Sequence, residues 1–347
     1  LYTGCMSQMI GVDVGLKSIK VVYLDKNQDK YSLLGIGEVA SPNMEWVNGD
    51  TSAKNLDEVA KAIKNLLKDL KINTKKVATA LPEHETISRL VQLPPLKENE
   101  IKDALRFEAE TFVPYPLEKV SIDYEIINED EAGRLSVLAI AAKNDLIANY
   151  VKIFKESGLE LTAIESPAIS GKRLLGQMGV SMESTISVDI GEKFSNIVAF
   201  KKGNIYFSRS MPVGGESLTR AISVNLGLDM ASAEEYKKAY GIREMELEGK
   251  IKNAIMPVFN SMAEEIRKAM VMFSEDGEKH INLLILSGGG SKMPGIAEEL
   301  ARILGVEVQV IQPFLKVDSS KIVSPIDLTS DGYRFSTAVG LAMREAL

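Results

Sequence analysis

Cysteine is all but missing. The chain of 347 residues holds one, Cys5, so no disulfide framework staples the fold. Histidine is as scarce, with only His84 and His280, too few for a histidine-built metal cluster. No run approaches the ~18 consecutive apolar residues of a membrane span and no signal peptide is visible, so a soluble, cytoplasmic protein is expected. Clusters of lysine and arginine are absent as well. Acidic residues outnumber basic ones, 48 to 41, for a net charge of −7, which argues against a nucleic-acid partner. Residues 1–5 (LYTGC) read as an expression scar or a frayed end and are set aside. The chain is 45% hydrophobic, enough to bury large cores, and its length suggests about two domains or lobes.

What the chain does have is a duplication. Residues 10–24 (IGVDVGLKSIKVVYL) and 186–200 (ISVDIGEKFSNIVAF), 176 positions apart, follow one template. Asp13 meets Asp189 and Gly15 meets Gly191, while Val12, Val14, Val21 and Val22 meet Val188, Ile190, Ile197 and Val198. Each copy reads as a strand, a tight turn after Asp-x-Gly, and a second strand. Glycine lets backbone pass close to a ligand, and turn amides form an anion-binding concavity. The aspartate offers hard oxygen to magnesium or its waters. One Asp-x-Gly alone would be an ordinary turn; two facing hairpins could grip a nucleotide's phosphates from both sides. A third segment, 283–300 (LLILSGGGSKMPGIAEEL), is an apolar strand, then Gly288, Gly289 and Gly290, then Pro294 and Gly295 before a helix. That order brings amides and a helix dipole to a phosphate or a ring.

Between these segments the periodicity predicts a strand over 31–40, a helix carrying Leu56, Val59, Ala60, Ile63, Leu66, Leu67 and Leu70 on one face, and a strand over 77–81. From 86 to 165 the order strand (86–93), helix (98–112), strands (119–127 and 135–142), helix (144–156), strand (159–164) reads as a self-contained α+β unit. Helices follow over 217–225, 231–240 and 251–273, with a strand over 306–311 and a closing helix over 336–347. Met256, Met262, Met270 and Met272 read as packing rather than as a binding surface.

The order hairpin, hairpin, strand–GGG–helix resembles the phosphate 1, phosphate 2 and adenosine motifs of the actin and sugar-kinase superfamily. Within it, residues 106–118 (RFEAETFVPYPLE) and 121–124 (SIDY) resemble the E-A-x-x-[YF]-[IV]-P-Y-P…D-Y signature of the PilM family of type IV pilus assembly. Residues 44–50 (MEWVNGD) match that family's V-x-x-G-x loop loosely. Residues 212–215 (PVGG) with Thr219, and 233–241 (AEEYKKAYG), match a stretch the family shares with the division protein FtsA. FtsA is the alternative, as a division protein or a filament-forming ATPase with substantial turnover; it usually carries a long tail ending in an amphipathic membrane helix, and such a tail is not expected here.

The resemblance implies an α/β, actin-like ATPase fold of duplicated ribonuclease-H-like lobes with an inserted α+β subdomain. Subdomain 1A would take 6–85 with 159–185, 1C 86–158, 2A 186–216 with 273–335, and the helical part of 2B 217–272, with 336–347 returning to 1A. It implies ATP or ADP with Mg2+ as cofactors. Asp13 and Asp189 would flank the metal through water, and Lys20 and Ser18 would reach phosphate. Gly11, Gly15, Gly191, Gly214 and Gly215 would let backbone approach the ligand, and Gly288, Gly289 and Gly290 would lie under the adenine and α-phosphate. Glu234 and Lys237 would contact the ribose, although a surface pair three apart on a helix would look the same. Glu165 would orient an attacking water, although Glu-Ser-Pro is also a natural helix start. The implied role is a cytoplasmic scaffold, peripheral to the inner membrane through its partners, with weak ATPase activity at most. The implied partner is the N-terminal cytoplasmic peptide of a PilN-like membrane protein, in a groove between 1A and 1C. Other pilus inner-membrane or motor proteins are implied as further contacts.

Overall fold

The structure, a computed structural model, describes residues 7–28, 30–42, 44, 53–243, 246–274 and 281–344. Cys5, His280, the 44–50 loop apart from Met44, and residues 345–347 of the closing segment lie outside them.

Each copy of the template folds as a hairpin that a third strand extends into a meander. In the first copy β1 (Ser7–Val14), β2 (Ser18–Asn27) and β3 (Lys30–Ala40) are antiparallel neighbours. In the second, β9 (Ser184–Ile190), β10 (Ser195–Lys201) and β11 (Asn204–Met211) repeat the arrangement. Two parallel strands then extend each sheet beyond the first strand of the meander, one pairing with it and the next with that one. These are β4 (Lys76–Ala80) and β8 (Glu160–Glu165) in lobe 1, and β12 (Leu283–Ser287) and β13 (Glu307–Val310) in lobe 2. With the short β14 (Val317–Asp318) at one edge, the orders are β14-β3-β2-β1-β4-β8 and β11-β10-β9-β12-β13. The same order of five strands therefore recurs in both sheets, and only β14 has no counterpart.

Both faces of the lobe 1 sheet are covered, which explains why β1 is apolar on both sides. One face packs under α1 (Ala53–Asp69) and α3 (Asn144–Glu156), where Leu56, Val59, Ile63, Tyr150 and Phe154 join Ile10, Val12 and Val21 in one core. Against the other face lie α4 (Pro167–Met178) and α9 (Ser336–Ala342). Ser166 caps α4 by accepting the Ala168 amide at 3.1 Å, and Pro167 supplies the first helical position. Leu174, Leu175 and Val339 from this pair share a core with Val22 and Leu24 of lobe 1 and with Val198, Phe200 and Ile285 of lobe 2. The lobes are thus joined by one continuous apolar layer.

The inserted unit is smaller than 86–158. β5 (Thr86–Leu93), β7 (Leu135–Lys143) and β6 (Val120–Glu129) form a three-stranded antiparallel sheet in the order β5-β7-β6, with α2 (Glu98–Ala109) packed on it. Helix α3, which those bounds include, packs in lobe 1, while β8, placed in 1A by the same bounds, pairs with β4 of the lobe 1 sheet. The apolar stripe Leu146, Tyr150, Ile153 and Phe154 is buried in the lobe 1 core.

Lobe 2 carries α5 (Gly215–Leu226), α6 (Met230–Tyr240) and α7 (Lys250–Ser274) on one face, with α8 (Ile296–Leu304) following β12. Met262 is buried in this core and Met256 and Met270 pack against it. Met272 instead points out, 45% exposed.

Candidate functional site: a cleft between the duplicated turns

The two hairpin turns face one cleft of about 700 Å³, a size suited to a small-molecule ligand. Asp13, Gly15, Lys17, Ser18 and Lys20 line it from lobe 1, and Asp189, Gly191, Glu192 and Asn196 from lobe 2. Gly288, Gly289 and Gly290 line it too, as do Gly215, Glu234 and Lys237.

The strand register sets the chemistry of its floor. Asp13 lies opposite Lys20, whose Nζ is 3.9 Å from Oδ2. Asp189 lies opposite Asn196 and accepts a hydrogen bond from Ser287 Oγ at 2.8 Å. Burial pushes the pKa of both aspartates above the ordinary range. Lys20 opposes this at Asp13 while Glu38 adds to it; at Asp189 the Ser287 hydroxyl and Lys20 oppose it and the charge of Asp13 adds to it. Two desolvated carboxylates that repel each other are suited to a divalent cation. Asn196 Oδ1, buried and without a hydrogen-bond partner among the described residues, is a further oxygen donor of the right kind. Among those residues no group of three or more His, Cys, Asp or Glu could hold a metal alone. The residues therefore fit magnesium bound largely through water and phosphate, which is its habit.

The glycines divide into two kinds. The amides of Gly15 and Gly191 close their own turns on Ser18 O at 3.2 Å and Phe194 O at 3.0 Å. A Cβ on either would strike the same carbonyl, at 2.9 and 2.8 Å. Their absent side chains thus serve the turn as well as the cleft. Gly214 has no room for a Cβ against Glu192 O, and the amides of Gly215 and Glu216 at the start of α5 donate to Gly191 O and Glu192 O. Gly288, at φ 79°, takes a left-handed backbone against Ile190, and Gly290 is also filled by Ile190; a Cβ on Gly289 meets nothing within 4 Å. Gly11 is not a cleft residue. Helix α9 crosses it, and a Cβ there would lie 2.0 Å from Ala338 O.

Glu165, the expected water-orienting carboxylate, also lies away from the cleft lining. Its side chain, 3% exposed, accepts from Arg173 at 2.7 and 3.1 Å and from Arg344. Arg173 in turn donates to Gly340 O at 2.6 Å. Glu165 is the buried anion between two part-exposed arginines, and the three fasten α4 to the end of α9.

Glu234 and Lys237 do reach the cleft, as parts of a buried network. Lys237 Nζ donates to Gly215 O at 2.9 Å and Thr219 Oγ1 at 2.8 Å and pairs with Glu234 Oε2 at 2.6 Å. Thr219 donates to the same carboxylate at 2.6 Å. Burial alone would raise Glu234, but the bonds from Lys237 and Thr219 and the charges of Lys237 and Lys17 carry its pKa down to about 2. The pair locks α6 to the start of α5.

Lys17, Glu83 and His84 are not among the expected site residues, and all three line the cleft. Lys17, in the first turn, pairs with Glu192 of the second at 3.0 Å. Glu83, after β4, is a buried carboxylate held by the hydroxyls of Ser166 in lobe 1 at 2.9 Å and Ser208 in lobe 2. Burial raises its pKa, and the two hydroxyls oppose the shift. His84 stacks flat on Phe194 of the second turn, ring centroids 3.9 Å apart.

Among solved structures, the chain is similar to one described as a PilM-PilN type IV pilus biogenesis complex, with a TM-score of 0.85 and 25% identity over 96% of this chain and 97% of that one. The ethanolamine utilization protein EutJ from Carboxydothermus hydrogenoformans shares the fold at a TM-score of 0.56 and 17% identity, over 97% and 89% of the two chains. MreB 5 of Spiroplasma citri, solved with AMPPNP bound, does so at 0.53 and 14%, over 96% and 94%. Among curated sequences, the cell division protein FtsA of Bacillus subtilis is 21% identical over 88% of this chain and 78% of its own length. These likenesses settle the fold as actin-like. The model of the family described as type IV pilus assembly protein PilM matches residues 11–346, nearly the whole chain, which therefore belongs to the PilM family.

Proposed function

We propose that this chain is a nucleotide-dependent scaffold of type IV pilus assembly that binds ATP or ADP with magnesium between its lobes. The observation that carries this is the pair of raised aspartates, Asp13 and Asp189, set by duplicated turns in one cleft. They and Asn196 would hold the hydrated metal, which when bound would neutralise phosphate charge. Lys20 would add a fixed cation, and Gly289, with open space beside it, would let the ring or α-phosphate lie against backbone. That an actin-like neighbour, MreB 5, was solved with AMPPNP bound supports this reading. Phosphoryl transfer needs a placed water as well as charge stabilisation. With Glu165 committed to two arginines, the carboxylate expected to place it is not available, which favours slow hydrolysis and binding state as the signal.

The similarity to a PilM-PilN complex supports a PilN-like partner. We assign it the cytoplasmic N-terminal peptide of a PilN-like membrane protein, seated between lobe 1 and the β5–β7–β6 unit. That peptide, and other pilus components, would bring the protein to the inner membrane; no helix among the described residues is long and apolar enough to cross one. Calorimetric titration of a PilN-like N-terminal peptide, with and without magnesium-ATP, tests the reading. Saturable binding whose affinity changes with nucleotide supports it; peptide binding indifferent to nucleotide contradicts the switch.

A further inference from the structure

Lys17 sits in the first Asp-x-Gly turn, where the resemblance gives it no role, yet its side chain reaches across the cleft to lobe 2. Its Nζ lies 3.0 Å from Glu192 Oε2 in the second turn and 3.3 Å from Glu234 Oε1 on α6. Both ends of this bridge are anchored. The Lys17 carbonyl accepts the Ser41 amide at 3.0 Å, and Ser41 Oγ donates to Gly15 O at 2.5 Å, fixing the first turn in lobe 1. The Glu192 carbonyl accepts the Glu216 amide at 2.8 Å, fixing the second turn in lobe 2. The Lys17 side chain is 54% exposed while its partners are 27% and 20% exposed, so the ammonium can leave them at little cost.

Two other cations meet Glu234, and neither bridges the lobes: Lys238 Nζ lies 3.9 Å from Glu234 Oε1 on the same helix, α6, and Lys237 is held within lobe 2. Lys237 Nζ is 8% exposed and its three donors face Gly215 O, Thr219 and Glu234. If Lys17 were absent, Glu192 would lose this cation and turn its negative charge towards anything anionic between the turns, while Glu234 would keep Lys237 and Lys238 of its own helix.

We propose that Lys17 is the residue with which this cleft distinguishes a nucleoside triphosphate from a diphosphate. The inference rests on the nucleotide reading above. With a ring beside Gly288–Gly290, a phosphate tail would run between the two turns that line the same cleft, and the outermost phosphate would carry the charge that a diphosphate lacks. That phosphate competes with Glu192 and Glu234 for the ammonium and, by taking it, replaces a lobe-to-lobe ion pair with a lobe–ligand–lobe one. A charge-assisted contact of this kind shifts affinity by about tenfold or more.

The test is equilibrium binding of magnesium-bound fluorescent ATP and ADP to the whole chain, comparing wild type, Lys17→Met, Lys17→Arg and Glu192→Gln. The expected result is that Lys17→Met weakens ATP by about tenfold or more and leaves ADP nearly unchanged. Lys17→Arg should restore the preference, and Glu192→Gln, which removes a competitor, should tighten ATP. Equal weakening of ATP and ADP by Lys17→Met would make the lysine a mere tether, and no change in either would remove it from the site; both overturn the proposal while sparing the nucleotide reading. Failure of the wild type to bind either nucleotide would overturn both.

Discussion

Replacing Glu165 with glutamine should damage stability rather than nucleotide binding. The carboxylate is buried and accepts from two arginines whose side chains are about a quarter exposed, 25% and 28%. Removing the anion leaves two like charges facing each other with their acceptor neutralised. Breaking a fully buried pair from one side costs about 3–5 kcal/mol, and partial access of both arginines to water lowers that to about 2–4 kcal/mol. At roughly 2.1 cal/mol/K of unfolding entropy per residue, a chain of 347 residues changes by ~0.7 kcal/mol for each degree near its midpoint. The melting temperature should therefore fall by roughly 3–6 °C, read by calorimetry or intrinsic fluorescence. The Arg173→Gln variant and the double variant complete a cycle whose coupling energy measures the pair. Below the lowered midpoint, magnesium-ATP affinity and phosphate release per folded molecule should match wild type. An unchanged melting temperature with phosphate release abolished would refute this reasoning and return Glu165 to the chemistry.

Two pH effects follow from the carboxylates of Glu83 and Glu234. Glu83 has its pKa raised by burial, so its folded form holds a proton that the unfolded chain loses near 4.5; stability falls as pH rises through that interval and stays lower above it. Glu83→Gln should consequently gain in melting temperature relative to wild type between pH 4 and pH 8, and a gap that moves the other way contradicts the assignment. Glu234 is the reverse case, held near 2 against an ordinary 4.5. Its contribution is present above about 4.5 and lost as pH falls towards 2, so the deficit of Glu234→Gln at neutral pH should close over that range in an acid-unfolding series.

Local patterning carried much of the architecture. The duplicated Asp-x-Gly template and the apolar strand before three glycines were visible because each is set by short-range demands: a turn that excludes a Cβ, and a strand covered on both faces. What escaped local reading depends on contacts far apart in sequence. Arg344 meets Glu165 across 179 positions, and nothing in Glu-Ser-Pro separates a helix start beside phosphates from one beside arginines. Gly11 looks like the other glycines until α9 is laid over it. The stripe on α3 says that the helix needs a covering surface but not that lobe 1, rather than the neighbouring three-stranded sheet, provides it. Lys237 reads as a surface lysine because its burial comes from α5, a separate helix. Asn196 was the one further site residue within reach of the sequence, since the template sets it against Lys20.

The central claim is that the duplicated turns hold a magnesium nucleotide, and the most direct measurement is the affinity of the purified chain for ATP with and without magnesium, in wild type and in Asp13→Asn plus Asp189→Asn. Binding that needs magnesium in the wild type, and is lost or made metal-independent in the double variant while the fold persists by circular dichroism, is the predicted result. Wild-type affinity indifferent to magnesium, or retained unchanged in the double variant, would contradict it.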